Sequence, residues 1–263
     1  MCRVIAIANN KGGVGKTTTC ASLAYGLVNK NKNVLIIDAD PLGSLTRMFG
    51  INKDECEENV YSVMKQIIKR EEFDKSFGIR KINGIDILPS SGELNDIDVL
   101  LPHVGKENVL KKYIYRLRDF YDYILIDCQP AINTLVINSL VASDSVIIPV
   151  KADIFSYDGL EQIIDLINQI VDPMDGINTE LRVDGVLITI AKKRTKSFGS
   201  FLKQLKEECE GGIHIFESII PDSIKGADVS ATMKSIYDYD KNCSVALAYK
   251  QFTDEIIAIG GSD

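Results

Sequence analysis

Short, uniformly apolar segments alternate along the chain with longer stretches whose apolar residues recur at helical spacing. The apolar segments are residues 4–8, 34–37, 85–88, 123–126, 146–150, 185–190 and 213–220. Most are continuously apolar, which is typical of strands buried on both faces of a sheet. The stretches between them predict helices over residues 17–30, 106–120, 133–142, 159–171, 197–209 and 245–259.

This alternation of strands and helices predicts right-handed βαβ units. We therefore expect an α/β fold: a single-domain, mostly parallel, twisted sheet with helices on both faces. The domain is expected to span residues 1–259, followed by a frayed tail over residues 260–263. Residues 52–84 are the most charged and least regular part of the chain, and there we expect surface helices and loops.

Composition and charge exclude several classes of protein. The chain has 263 residues, a formal net charge of −7 and a pI of about 5.0. Nucleic-acid binding over the whole surface is not expected of so acidic a protein, although a local basic patch is compatible with it. We find no signal peptide and no apolar stretch of the ~18 residues that a transmembrane helix needs. The six cysteines have no metal-ligand spacing, so reduced thiols and a cytoplasmic location are expected.

The strongest chemical signal is a glycine-rich segment between the first predicted strand and the first predicted helix. Residues 9–18 read Asn-Asn-Lys-Gly-Gly-Val-Gly-Lys-Thr-Thr. Glycines let backbone N–H groups turn toward phosphate oxygens, and the helix N-terminus adds the positive end of its dipole. In such a loop, Lys16 reaches the β- and γ-phosphates and the Thr17 hydroxyl ligates Mg²⁺. Asn10 stands where the usual pattern has its first glycine, and Lys11 is an additional lysine.

This segment resembles the deviant Walker A motif of the ParA/MinD superfamily, which includes ParA and Soj, MinD and the nitrogenase iron protein. In that superfamily the additional lysine reaches the partner subunit's nucleotide, and Lys11 matches its position. The resemblance implies a P-loop NTPase fold, ATP and Mg²⁺ as ligands, and an ATP-dependent homodimer. The predicted nucleotide-binding residues of the loop are Lys11, Gly12, Gly13, Val14, Gly15, Lys16, Thr17 and Thr18.

Carboxylates follow two of the predicted strands. Asp38 directly follows the apolar segment 34–37, and Asp40 lies two residues further on. Asp127 directly follows the apolar segment 123–126. Ligands of open α/β sheets lie beyond the carboxyl ends of the strands, so we expect these side chains beside the phosphate loop. A carboxylate at the end of a strand suits the Mg²⁺ shell, as in a Walker B motif. The predicted metal ligands are Thr17, Asp38 and Asp127.

The resemblance also assigns roles outside the loop. Asp40 matches the second aspartate of the family pattern Asp-x-Asp-Pro-Gln-Gly, which orients the attacking water, but Leu42 replaces the glutamine. Gln129 replaces the first proline of the pattern Asp-x-Pro-Pro that follows Walker B. Pro221 and Asp222 match a segment that packs on adenine, although a simple turn explains them equally well. The predicted catalytic residues are Lys11, Lys16 and Asp40.

A basic run favours the DNA-partition branch of the superfamily. Residues 192–196 read Lys-Lys-Arg-Thr-Lys, and the next predicted helix adds Lys203 and Lys206 on one face. The resemblance implies sequence-independent binding of double-stranded DNA by the ATP dimer, nucleoid association in the ATP state, and slow hydrolysis stimulated by a ParB-like adaptor. A solvated surface explains the same charges. The predicted DNA-binding residues are Lys192, Lys193, Arg194, Lys196, Lys203, Lys225 and Lys234.

Other branches of the superfamily remain as alternatives. A MinD-like ATPase needs a basic amphipathic C-terminal helix, but residues 245–259 are net acidic, so we expect no membrane contact. An iron–sulfur component needs paired cysteines, and no second cysteine stands in a recognisable site to pair with Cys128. An ATPase that positions a protein cargo also remains open. Because the first strand is predicted to begin at Arg3 or Val4, we expect no N-terminal helix-turn-helix.

Overall fold

The computed structural model describes residues 2–72, 74–102, 104–153, 156–223 and 235–261. Its strands are β1 (Arg3–Ile7), β2 (Val34–Ala39), β3 (Arg80–Ile82), β4 (Ile85–Leu88), β5 (Tyr123–Cys128), β6 (Ser145–Lys151), β7 (Arg182–Ala191) and β8 (Ile215–Pro221). Its α-helices are α1 (Lys16–Val28), α2 (Ser44–Met48), α3 (Val60–Lys69), α4 (Ile97–Leu100), α5 (Val109–Tyr115), α6 (Thr134–Ala142), α7 (Tyr157–Val171), α8 (Lys196–Glu208), α9 (Ile236–Asp240) and α10 (Ser244–Gly260).

The described strands form one eight-stranded sheet in the order β3-β4-β2-β5-β1-β6-β7-β8. Every neighbouring pair is parallel except β3 and β4, which are antiparallel. The predicted α/β fold with a mostly parallel sheet is therefore confirmed. In the central strands, Asp127 lies in register with both Ile7 and Asp38, so the carboxyl ends of β1, β2 and β5 meet at one edge.

Helices cover both faces of the sheet, and this explains why the strand segments are apolar throughout. In β1, Val4 and Ala6 point into the core formed with α3, α5, α6, α7 and α8. Ile5 and Ile7 point into the opposite core, formed with α1, α2, α9 and α10. Since successive side chains of a strand face opposite sides, both sets must be apolar when both sides are buried.

The sequence analysis expected surface helices and loops over residues 52–84, and α3 is a helix in this region whose bounds were not predicted, although a signal for them was present. Val60, Val63, Met64 and Ile67 are buried and recur at the i, i+3, i+4, i+7 spacing of an amphipathic helix. A capping box between Asn59 and the third helical residue fixes the start of this helix. The polar residues between the apolar positions form the solvent-facing side, as expected of a surface helix.

The hairpin of β3 and β4 was also missed. Asn83 and Gly84 separate the two strands and have φ angles of 51° and 81°. An Asn-Gly pair is the strongest short-range signal for a two-residue hairpin turn, because both central residues of such a turn need positive φ. The hairpin adds β3 as the antiparallel edge strand of the sheet.

Two helix ends differ from the predictions. The helix predicted over residues 106–120 begins as a 3₁₀ turn, and its α-helical part, α5, ends at Tyr115. The last helix, α10, ends at Gly260, one residue inside the predicted tail. The domain boundary itself stays a prediction. In the described ranges, no helix is long and apolar enough to cross a membrane.

The packing of α1 against α10 gives a prediction of stability. A Cβ at Gly26 would overlap Thr253 Oγ1 and lie 3.1 Å from Tyr237 Oη. Thr253 is buried, and its hydroxyl donates to Tyr249 O at 2.8 Å, so the threonine has no room to move. We expect Gly26→Ala to lower the free energy of unfolding by about 1–3 kcal/mol through overpacking, measured by urea denaturation.

Gly199→Ala is the matched control, since Gly199 lies in α8 and a Cβ there meets nothing within 4 Å. That variant should gain about 0.5–1 kcal/mol from helix propensity. Equal effects of the two substitutions would contradict the close packing of α1 and α10.

Candidate nucleotide-binding site

The glycine-rich loop connects β1, in the middle of the sheet, to α1. Gly13 and Gly15 have φ angles of 71° and 87°, a left-handed conformation that glycine adopts without a steric penalty. Gly15 is the N-cap of α1, no side chain among the described residues bonds to the first amides of the helix, and its first turn contains no acidic residue. The positive end of α1 is therefore left uncompensated by the protein, as an anion-binding helix end requires.

Lys16 lies under this loop. Its side chain is buried, and its ammonium donates to Lys11 O at 2.9 Å. Burial lowers the pKa of Lys16, and the nearby Asp127 carboxylate opposes that shift. A partly desolvated ammonium beside a glycine-rich loop interacts strongly with an incoming phosphate because the local dielectric is low.

Lys11 points to a different place. Its ammonium lies 3.7 Å from Asp153, and Lys151 Nζ lies 3.2 Å from the other oxygen of that carboxylate. The backbone N–H of Lys11 donates to Asn9 Oδ1 at 2.9 Å. In the single chain, Lys11 thus forms an ion pair at the base of α7, and its predicted contact with a partner's nucleotide stays a prediction.

Asp127, at the end of β5, has the least compensated charge of the site. It is 1% exposed, and neither carboxylate oxygen has a hydrogen-bond partner at normal geometry among the described residues, although the Thr17 side chain lies close enough to act on it as a weak donor. Burial raises its pKa well above the usual value and the neighbouring Asp38 raises it further, while Thr17 and Lys16 oppose the shift. A buried carboxylate with both oxygens unused is suited to a divalent cation.

Asp38 differs from Asp127 because its oxygens are already used. The backbone N–H and the hydroxyl of Thr46 donate to Asp38 Oδ2 at 2.7 and 2.6 Å, and the Asp40 N–H donates to Oδ1 at 3.2 Å. Burial raises the pKa of Asp38 to about 6, and the Thr46 hydrogen bonds oppose this. The contacts of Asp38 therefore hold the Asp40 turn and the start of α2 in position.

The residues present fit a Mg²⁺ ion that is shared with a nucleotide. In the described part of the chain, no group of three His, Cys, Asp or Glu side chains is arranged to hold a metal ion. Mg²⁺ is commonly bound through one or two carboxylates together with phosphate oxygens and waters. Asp127 and Thr17 fit that mode, and the assignment of the metal ligands stays a prediction.

The loop opens into a cleft of about 560 Å³. Asp40 lies at this cleft, 8% exposed, and its Oδ1 accepts the Leu42 N–H at 2.9 Å. The cleft is lined by Gly12, Gly13, Gly15, Lys16, Thr17, Thr18, Asp40, Leu42, Ser44, Arg47, Met48, Pro130 and Ile190. Six of these thirteen residues belong to the predicted loop, so the structure brings the loop and Asp40 together.

Several lining residues had no signal in the sequence analysis. Ser44, Arg47 and Met48 reach the cleft because they lie on α2, which directly follows the turn that contains Asp40. Ile190 lines the cleft with a φ of 50°, an uncommon conformation for a β-branched residue. The preceding Thr189 supports the loop from below, since its hydroxyl donates to Val14 O at 2.8 Å.

Comparison with known proteins places this site in a family. Residues 2–183 match the family model described as an AAA domain. The chain is 32% identical to the sporulation initiation inhibitor protein Soj of Bacillus subtilis strain 168 over 99% of this chain and 100% of Soj. It is 29% identical to the chromosome partitioning protein ParA of Caulobacter vibrioides strain NA1000 / CB15N, over 97% of this chain and 94% of that protein. The chain belongs to the ParA/Soj-type ATPases of the ParA/MinD superfamily.

Solved structures agree with this membership at the level of the fold. A crystal structure of cobyrinic acid a,c-diamide synthase from Mycobacterium smegmatis with bound ADP and magnesium matches this ParA/Soj-type chain with a TM-score of 0.85 and 27% identity. The match covers 100% of this chain and 96% of that one. The fold of this chain is thus one that holds ADP and magnesium in another protein.

The predicted adenine contacts are not at the cleft. Pro221 ends β8 and lies in register with Ala191, and neither Pro221 nor Asp222 lines the cleft. Two strands, β6 and β7, lie between β1 and β8 in the sheet. Asp222 is instead paired with Lys192, at 3.5 Å. Their assignment to adenine stays a prediction.

The basic run lies on an exposed turn and on α8. All five cations from the described part of the predicted DNA surface are exposed: Lys192, Lys193, Arg194, Lys196 and Lys203. Two of them have acidic partners, since Lys192 pairs with Asp222 and Lys203 lies 3.8 Å from Glu207. Lys225 and Lys234, also predicted to bind DNA, lie outside the described residues. The patch is therefore accessible, with part of its charge neutralised.

The two buried carboxylates of this ParA/Soj-type site predict how stability depends on pH. Asp38 and Asp127 hold protons more tightly when folded than when unfolded, so the free energy of unfolding should fall as pH rises through the range from about 4 to 6 and above. Asp127→Asn removes one buried charge, and we expect it to raise the free energy of unfolding at pH 8 by about 1–3 kcal/mol. Urea denaturation without nucleotide or metal measures this.

Asp165→Asn is the matched control, because Asp165 is exposed on α7 and its substitution removes the same charge. It should leave stability within about 0.5 kcal/mol of wild type. A loss of stability in Asp127→Asn at pH 8 would show that the Asp127 carboxylate is compensated within the folded protein.

Proposed function

We propose that this chain binds ATP with Mg²⁺, dimerises in the ATP state and hydrolyses ATP slowly. The observation that carries the proposal is the buried Asp127 carboxylate, which lacks a hydrogen-bond partner at normal geometry within the described residues and interacts with Lys16 and Thr17 in the first turn of α1. The loop supplies positive charge for phosphates, and the carboxylate supplies a ligand for the metal. Family membership with Soj and ParA supports the same assignment.

The chemistry follows from the positions of these groups. Bound phosphates would lie on residues 12–18, where Lys16 and the backbone amides stabilise charge that develops at the β–γ bridge. Thr17 and Asp127 would hold Mg²⁺, which neutralises phosphate charge when it is bound. Asp40, oriented by the Leu42 N–H, would position the attacking water.

Slow turnover follows from what lines the cleft. Among the described residues that line the cleft, Asp40 is the one carboxylate and none is a histidine, so these residues include no strong general base. A slow ATPase has long-lived ATP and ADP states, and two such states with different surfaces can act as a switch. This property supports a timing role better than a metabolic one.

On dimerisation, the Lys11 ammonium would exchange its ion pair with Asp153 for a contact with the nucleotide of the other subunit. Its present ion pair with Asp153 joins two side chains that are 34% and 30% exposed, and such surface pairs contribute little, about 0–1 kcal/mol. A nucleotide phosphate in the partner subunit has more negative charge and lies in a less hydrated site. Exchange of the Asp153 pair for that phosphate would therefore favour the ATP dimer.

DNA is the partner that the surface supports best. Two copies of the exposed basic run would lie on one ATP dimer, whereas a single acidic chain offers few phosphate contacts. We infer that the dimer binds double-stranded DNA without sequence preference and that a ParB-like adaptor accelerates hydrolysis, in the service of DNA partition. The chromosome partitioning protein ParA among the relatives supports this role.

The alternatives have less support. The apolar face of α10, which a MinD-like protein would lay on a membrane, is buried through Val245, Tyr249, Phe252 and Ile256. Burial raises the pKa of Cys128 to about 12, so this thiol is a poor ligand for an iron–sulfur cluster. An ATPase acting on a protein cargo would share the nucleotide chemistry and differ in its surface partner.

Asp40→Ala tests the hydrolytic role. Without a group to orient water, the ATP dimer should form and persist, and hydrolysis should fall about 100-fold or more. Phosphate release measures the rate, and light scattering after size-exclusion chromatography measures the dimer. Normal hydrolysis in Asp40→Ala would exclude Asp40 as the water-positioning residue.

Lys11→Ala provides the contrast for that experiment. This variant should still bind ATP, because Lys16 and the loop of its own chain remain, but it should neither dimerise nor hydrolyse ATP. Asp165→Ala removes an exposed acid that is not among the residues lining the cleft, and it should behave as wild type.

The salt and nucleotide dependence of DNA binding tests the role proposed for the exposed basic run. With ~3 phosphate contacts from each subunit, the logarithm of the binding constant should fall with the logarithm of salt concentration with a slope of about −5. Binding to random-sequence duplex DNA should require ATP and should be absent with ADP. Fluorescence anisotropy across a salt series measures both properties.

A matched pair of double variants locates the surface. Reversing the charge of Lys193 and Arg194 with glutamates should abolish binding, whereas the same change at the exposed Lys111 and Lys112 of α5 should have a much smaller effect. A slope near zero, or equal binding without nucleotide, would exclude the DNA proposal. Binding to anionic vesicles in place of DNA would favour the MinD-like alternative.

A further inference from the structure

Arg47 is a cation of the cleft to which the sequence analysis gave no role. It lies in α2 and lines the same cleft as Lys16, Thr17 and Asp40. Its side chain is exposed, and no carboxylate among the described residues forms an ion pair with its guanidinium. A guanidinium at a phosphate loop, without a partner in the described chain, is free to bind an anion that enters the cleft.

The backbone of Arg47 is held in place by buried contacts. The preceding residue, Thr46, donates twice to Asp38 Oδ2, and its hydroxyl oxygen accepts the Ser90 N–H at 2.8 Å. The Arg47 N–H itself donates to Gly43 O at 3.0 Å. The start of α2 is therefore fixed to the ends of β2 and β4, which limits where the guanidinium can reach.

The order of the strands indicates which part of a nucleotide Arg47 would meet. The loop follows β1, and β2, which leads to α2, lies on the opposite side of β1 from β6, β7 and β8. Asp40, which we assign to the attacking water, lies at the α2 side of the cleft, whereas Ile190 of β7 lies at the other. The terminal phosphate of ATP, where water attacks, would thus lie on the side of Arg47.

We propose that Arg47 contacts the γ-phosphate of bound ATP and makes the site distinguish ATP from ADP. This inference rests on the proposed nucleotide binding. Its physical basis is the difference between the two cations of the cleft. Lys16 is buried, donates to Lys11 O and has a lowered pKa, whereas the Arg47 side chain is exposed and has no ion-pair partner among the described residues. A planar guanidinium also presents paired donors that match two oxygens of one phosphate.

The contact gives α2 a role in the state of the protein. ADP has no γ-phosphate, so the guanidinium would lose its partner after hydrolysis and phosphate release. The segment of residues 40–47 carries both Asp40 and Arg47, and it is therefore the part of the chain that would respond first to the loss of the γ-phosphate. Arg47 is on this account a phosphate-contacting residue that senses the terminal group.

Calorimetric titration with Mg²⁺ and either ADP or the non-hydrolysable analogue AMP-PNP tests this inference. Arg47→Ala should weaken AMP-PNP binding about 10-fold or more, since loss of a charge-assisted hydrogen bond costs that much, and should change ADP binding less than about 2-fold. Arg47→Lys should be intermediate, because it keeps the charge and loses the fork. Arg80→Ala is the matched control, an exposed arginine on the edge strand β3 that does not line the cleft.

The outcomes are separable. Weaker binding of both nucleotides to the same extent, or of neither, in Arg47→Ala would overturn the assignment to the γ-phosphate while leaving nucleotide binding intact. Failure of the wild-type chain to bind either nucleotide would overturn the proposed function and this inference with it. Because the Arg47 side chain is exposed, Arg47→Ala should unfold in urea as wild type does, and this confirms that any change in affinity is local.

Discussion

The buried carboxylate of Asp127 is the constraint on which the site depends. It is the penultimate residue of β5, which lies between β2 and β1, and it is in register with Asp38. Two carboxylates so placed repel each other, because both are buried away from water. Thr46 provides hydrogen bonds for Asp38, whereas Asp127 has none from the described residues. The folded chain thus keeps one buried carboxylate whose negative charge is offset by Lys16 and a weak contact with Thr17, and further by protonation or a bound cation.

The architecture around this charge has a common origin. Parallel strands covered on both faces must be apolar throughout, so polar groups are confined to the strand ends, and the ends of β1, β2 and β5 converge. The same edge receives the glycine-rich loop and the positive start of α1. The hydrogen bonds that satisfy Asp38 also fix α2 and, through it, Asp40 and Arg47. A need for charge compensation therefore links the buried sheet to the open cleft.

The sequence was sufficient for the features that depend on local pattern and not for those that depend on tertiary contacts. Continuous apolar runs indicated the strands, and the loop with its two lysines indicated the phosphate site. The hairpin at Asn83 and Gly84 had a local signal that was overlooked. Arg47 had none, because its position depends on the bonds between Thr46 and Asp38, which join residues eight positions apart in a turn. Whether Pro221 and Asp222 contact adenine depends on how β8 ends, which no pattern of residues specifies.

The most direct test of the account is the affinity for AMP-PNP measured by calorimetry with Mg²⁺ and with EDTA, in the wild type and in Asp127→Asn. If the unpartnered carboxylate is the place of the metal, Mg²⁺ should tighten nucleotide binding markedly in the wild type and much less in the variant. Binding to the wild type that is equally tight with and without Mg²⁺ would contradict the account, since the charge of Asp127 would then have no part in holding the nucleotide.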